Sequence, residues 1–139
     1  MAYSHQNVTL RGFHWEASSL TFNLSSAVTI AHIGKAMSLD SSAANTVKPA
    51  GDGDIIIGRL ASFEDRSVEG TKVGAVELQF ANTLPIKDGE TVAVGDTVIG
   101  AGAGEVKRRE NTAGDAAEPN HAMNFVAEII GTNAVVVKV

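Results

Sequence analysis

Gly100-Ala101-Gly102-Ala103-Gly104 is the run that most invites a phosphate cradle. A dinucleotide fingerprint needs G-x-G-x-x-G between a strand and a helix, with an acidic residue further on, and a P-loop needs G-K-[ST]. Here the spacing is G-x-G-x-G, no helical pattern follows and G-K-[ST] is absent, so the run reads as a tight β-turn or a closely packed edge. His14-Trp15-Glu16 sets a base and an acid two residues apart, on one face if the segment is a strand, and a catalytic use of the pair would have to be shown by geometry. His5, His14, His32 and His121 are too scattered for a metal-ligand spacing. Asp52-Gly53-Asp54 opens like a calcium loop, yet the later ligands and the closing Glu are missing, which leaves a turn. Glu64-Asp65 is an acid pair whose catalytic use would have to be shown by geometry. No serine sits in a G-x-S-x-G elbow. The chain has no cysteine, which excludes disulfides, thiolate metal sites and cysteine nucleophiles. The expectation is a protein with no catalytic residue, no metal and no cofactor.

The bulk properties agree with an ordinary soluble fold. At 139 residues the chain is one domain long and can bury about 70% of its unfolded surface. Aromatics make up only 5%, so the core must be built from Val, Ile, Leu and Ala, which suits thin β-layers. The net charge is −5, and the one basic cluster, Lys107-Arg108-Arg109, is flanked by Glu105 and Glu110. Nucleic-acid binding would need a basic stripe, so no nucleic-acid partner is expected. No apolar run approaches the ~18 residues of a membrane span, and MAYSHQNVTLRG lacks a charged start followed by an apolar stretch, so neither a membrane partner nor a secretory signal is expected.

The elements that would position these residues read as strands throughout. Residues 1–33 are rich in Ser, Thr, Asn and His and contain no Lys or Pro. Within them Leu20-Thr21-Phe22-Asn23-Leu24 alternates as a half-buried strand does. This segment reads as an extended N-terminal arm or as the first hairpin, and residues 34–139 as a β-rich core domain. Asp40 to Asn45 is turn material, with room for one short helical turn starting at Asp40 or Ser41. Thr46-Val47-Lys48 is a short strand. Gly51 to Asp54 is the sharpest turn. Ile55 to Phe63 reads as a strand in which Gly58 marks a bulge or a close backbone approach. Lys72 to Phe80 is expected as one strand with Val76, Leu78 and Phe80 on one face, followed by short strands at Thr91–Val94 and Thr97–Ile99. Residues 107–121 form a polar loop. The chain ends in a hairpin, Met123–Ile130 and Ala134–Val139, with Phe125, Ala127 and Ile129 on one face and Val135, Val137 and Val139 sharing another. Short strands about every ten residues, with no helical periodicity, predict an all-β fold: a small β-barrel or β-sandwich with an extended N-terminal segment.

Two resemblances bear on function. Val94 to Gly100 has the look of small barrels that carry biotin or lipoyl groups on a hairpin-tip lysine, but neither Met-Lys-Met nor Asp-Lys-Ala surrounds Lys107. The run GKAMSLDSSAANTVKPAGDGDIIIGRLASFED, followed by KVGAVELQF and AVGDTVIG, resembles the capsid decoration (cement) proteins of tailed bacteriophages. The shared pattern is a G-K-A-x-x-L-D strand, a Ser/Ala/Asn turn, T-V-K, a D-G-D turn and I-x-G-x-L-x-x-x-E-D, and it spans about half of the chain. The resemblance implies a virion protein, assembled in the host cytoplasm, that binds the outer face of the expanded capsid. It implies the major capsid protein and itself, as homodimer or homotrimer, as partners, with no catalytic residue and no cofactor. A tail or head-fibre component and a small ligand-binding β-module are the alternatives. The resemblance does not cover residues 1–33 or 107–121. The composition of residues 1–33 makes Val8, Leu10, Phe13, Trp15, Leu20 and Phe22 the candidate capsid contacts, with Trp15 as the leading hot spot; the competing reading makes them core of a first hairpin.

Overall fold

The computed structural model describes residues 19–110 and 124–139. The fold is all-β. Its strands are β1 (Ser19–Leu24), β2 (Ala36–Leu39), β3 (Thr46–Pro49), β4 (Gly58–Leu60), β5 (Glu64–Arg66), β6 (Thr71–Glu77), β7 (Phe80–Pro85), β8 (Val98–Gly102), β9 (Glu105–Arg108), β10 (Asn124–Ile130) and β11 (Asn133–Lys138). Among the described residues the helical pieces are two single 3-10 turns, Ile30–His32 and Ser67–Glu69.

Barrel, rather than sandwich, describes the first half. The order β1-β3-β2-β4-β6 closes because β6 pairs back onto β1, and β5 pairs with Thr71–Val73 of β6 on the edge that receives β4 further along. β1 is the closing strand, antiparallel to β6 from Ser19 to Asn23 and parallel to β3 through Asn23 and Leu24. Leu24, Val28, Met37, Val47, Leu60 and Val76 fill the interior. Ser19–Leu24 is therefore a wall strand of the barrel. Gly58 marks the close approach expected of it: a Cβ there would run into the Glu77 carbonyl and lie 2.5 Å from Val76 Cγ1.

The second half encloses a second core. The expected strand Lys72–Phe80 breaks at Leu78-Gln79, and the break carries the chain from one core to the other: Val76 points into the barrel, and Phe80 into a cluster with Leu84, Val98, Val106, Val126, Ala134 and Val136. Around that cluster lie a sheet ordered β10-β11-β7 and a β8–β9 ribbon. The two are joined on both sides. Ile86 bridges Val106, and the Lys87 amide donates to the Val106 carbonyl at 3.0 Å. On the other side the buried Asn124 amide accepts from Val98 N (2.9 Å) and donates to Val98 O (3.2 Å). Gly95 N donates to Val126 O and Val126 N to Asp96 O, both at 2.8 Å.

β2 is the wall between the cores. Alternating strand residues face opposite sides, so Ala36 enters the second core and Met37 the barrel; Ile56 and Ile57 divide in the same way. That double burial explains why these positions read as apolar runs instead of alternating ones.

Several local expectations are corrected. Of Ile55–Phe63 only Gly58–Leu60 is strand. Ile55 and Ile57 instead bond singly to β2, Ser38 Oγ to Ile55 O at 2.8 Å and Ile57 N to Met37 O at 2.9 Å. The Asp40 cluster forms no helix: the Asp40 carboxylate closes a turn by accepting from Ser42 N and Ser42 Oγ, and Asn45 adopts a left-handed φ of 55°. Thr91–Val94 is not a strand, and a turn at Val94-Gly95 follows it. Lys107 and Arg108 continue β9 instead of opening a loop. A bulge between Val126 and Glu128 in β10 breaks the expected Phe125-Ala127-Ile129 face: Ile129 turns toward the core beside Val126, and Phe125 is left outside.

Candidate functional site

The glycine run and the Asp52-Gly53-Asp54 turn pack against each other as one corner. Gly53 N donates to Gly100 O, and Gly100 N to Asp54 O, both at 2.9 Å. A Cβ on Gly100 would collide with the Gly51 carbonyl. Gly104 N donates to Ala50 O at 3.1 Å and Gly104 O accepts from Ala36 N at 2.9 Å. These backbone groups are spent on the protein itself, so this is the closely packed edge read from the spacing. The carboxylates are engaged too. Asp54 accepts from Gly51 N at 2.9 Å and lies 3.3 Å from Lys48 Nζ, and Asp52 lies 2.7 Å from Lys107 Nζ. The hydrogen bond from Lys107 holds the Asp52 carboxyl below its usual range. Lys107 thus sits on a strand, held by an acid.

No other convergence of reactive groups occurs among the described residues. No group of three or more His, Cys, Asp or Glu is placed to hold a metal. Glu64 is taken by Arg66 Nε at 2.8 Å. Arg59 is half-buried between the two halves, donating to Glu77 Oε1 at 3.1 Å and to Thr83 O at 3.0 Å, so it ties β4 to β7. At one end of the barrel, Lys72 Nζ donates to Val28 O at 3.2 Å and stands 6.0 Å from the Phe63 ring centroid, beside a cleft of about 310 Å³ lined by Leu24, Ser26, Gly70 and Thr71. His5, His14 and His121 lie outside the described residues.

His32 has a structural task. It closes a capping box on the 3-10 turn: Thr29 N donates to His32 Nδ1 at 3.0 Å, and Ala31 N to Thr29 Oγ1 at 3.3 Å. Only an unprotonated Nδ1 accepts that bond. Burial first, and the nearby Lys35 charge second, hold the His32 pKa below its ordinary value. The folded state therefore binds fewer protons than the unfolded chain, and stability rises with pH. The contribution is complete above about pH 6.5, the unfolded value, and is lost as pH falls from there through the folded pKa. Urea midpoints should fall on acidification through this window. His32→Gln, which can accept the same bond at the third position of the box, should flatten the dependence. A His32 ring titrating above the ordinary histidine value would contradict it.

Of the candidate contacts, Val8, Leu10, Phe13 and Trp15 lie outside the described residues. Leu20 and Phe22 share the β1 face opposite Val76 and Gly74. Phe22 packs on the barrel core, while Leu20, at the strand's beginning, is 56% exposed. The sequence reading missed the outer face of the β10-β11-β7 sheet. Register sets Phe125, Val137 and Ala81 in one row across it and Glu128, Val135 and Thr83 in the next. The shared face of Val135, Val137 and Val139 was the available signal; its partners depend on pairings and a bulge that spacing alone does not encode.

No protein-family model matches the chain, and no curated protein matches it.

Proposed function

We propose that the chain is a structural virion protein that binds the outer surface of a tailed-bacteriophage capsid and stabilises the expanded head, with the major capsid protein and further copies of itself as partners. The observation that carries this reading is the ordered resemblance of Gly34–Asp65, Lys72–Phe80 and Ala93–Gly100 to capsid decoration proteins. Those residues build β2 to β6, the wall between the two cores and the glycine corner. The chemistry around them supports a binding role: carboxylates pair with Lys48, Arg66 and Lys107, and large apolar side chains such as Leu20, Leu39, Ile55 and Phe125 stand on the exterior.

A cement works through area and repetition. One interface of ~1,600 Å² covers a wide range of affinities, and several linked copies gain avidity when their spacing matches the lattice. Val8, Leu10, Phe13, Trp15 and Leu20 are the proposed contacts, with Phe22 rooting the segment in the barrel.

The test is to mix the purified protein with expanded, empty capsids and image them. Saturable, symmetric density on the outer shell is expected; no binding, with density in the tail instead, refutes the reading. Deleting residues 2–18, which precede β1, should abolish capsid binding while the barrel still folds. A deleted protein that binds at full strength removes the segment's role.

A further inference from the structure

The outer face of the β10-β11-β7 sheet is unusually apolar for an exposed surface. A sheet with one solvated side normally alternates polar residues outward. Here the middle strand sends out the half-buried Val135 and Val137, with Phe125 on one side and Ala81 on the other, and Val139 follows the strand's end. Phe125 is 47% exposed and Val139 60%. Three strands at ~4.8 Å spacing and six residues at ~3.3 Å give a face of about 290 Å². A stable protein–protein interface needs ~800 Å² from each partner, so a second copy seated on this face alone falls well short. A tethered segment does not face that requirement, because its effective concentration reaches ~mM for a short linker.

We propose that, in the free protein, residues 1–18 of the same chain cover this face. The point of attachment is right for it. Ser19 lies opposite Glu77, and three residues further on Phe80 lies opposite Lys138, next to Val137 and Val139. Eighteen residues reach up to ~60 Å when extended, more than the sheet's width. The composition is right as well: residues 1–18 hold Val8, Leu10, Phe13 and Trp15, and their only Lys, Arg, Asp or Glu residues are Arg11 and Glu16. Glu128 is the one charged residue directed outward with Val135, and Arg11 is its natural counterpart. This docking belongs to the free chain and holds whether or not the partner is a capsid.

The absence of cysteine allows a clean test. A nitroxide on Ser4→Cys should broaden the amide signals of Phe125 and Val137 in the same molecule, and Trp15, the single tryptophan, should emit as a shielded indole. Phe125→Glu, and separately Val137→Thr as the milder change, should abolish the broadening and shift Trp15 emission to the red while the β-sheet circular dichroism is retained. Absence of broadening in the parent protein overturns the proposal. So does broadening that appears only when spin-labelled, isotope-free protein is mixed with labelled-nitrogen protein, because that places the segment on a second copy.

Discussion

Phe80→Ala is expected to lower the unfolding free energy by about 3–5 kcal/mol, enough to consume a large part of the ~5–15 kcal/mol a domain has in total. Among the described residues Phe80 is the largest fully buried side chain and the one aromatic in the second core. Its neighbours there are mostly Ala and Val. Valine is short and stiff at χ1, alanine has nothing to rotate, and the surrounding strands are held by the Lys138–Phe80 to Asn133–Pro85 ladder. The cavity therefore cannot collapse, which puts the cost toward the upper end for such changes. Phe80→Leu keeps much of the volume and should cost clearly less. Denaturant titration checks both: the midpoint should drop in the order Ala below Leu below parent, with the slope unchanged. An alanine variant within about 1 kcal/mol of the parent would mean that Phe80 is not the keystone of a closed second core, since truncation of such a residue belongs to the short list of severe mechanisms.

What the sequence disclosed and what it withheld divide along physical lines. Strand identity at Thr46–Lys48 and the last hairpin was legible, because burial periodicity and turn residues are local signals. Gly58 and Gly100 were legible as close approaches, because a missing Cβ is itself the signal. Closure was not: β1 meets β6 across some fifty residues of chain, and nothing in Leu20–Leu24 names its partner. The crossing at Leu78-Gln79 was hidden because Val76, Leu78 and Phe80 keep strand alternation while the chain changes cores. The β10 bulge was hidden because an extra residue looks the same as any other until its partner strand is known. The candidate surface suffered most, since a face is a property of register: Phe125 was assigned to the same side as Ile129, and the structure separates them.

The second core closes on its far side through the Asn124 side chain and two backbone bonds, Gly95 N to Val126 O and Val126 N to Asp96 O, and the side chain carries the other large effect. Asn124→Leu should destabilise the protein by about 2–5 kcal/mol, because it strips partners from both the N–H and the C=O of Val98, and each buried unpaired group costs about 1–3 kcal/mol. Val98 is 1% exposed, so water cannot replace the lost bonds without opening the seam. Leucine matches asparagine closely in size, so the loss reports the hydrogen bonds more than a cavity. The effect should also be local. Hydrogen exchange should accelerate first at Val98, Gly95 and Val126, whose amides bond across this seam. Ala61, whose amide donates to Ala75 O inside the barrel at 2.8 Å, should keep its protection until global unfolding. Equal acceleration at both places would mean that the two cores open as one unit, and that Asn124 is no more than another buried contact. Selective acceleration would establish that the Asn124 amide, acting in place of a strand pairing at Val98, sets the strength of the seam between β8 and β10. It would also identify this seam as the part of the molecule that yields first, one strand away from the apolar face carried by β11.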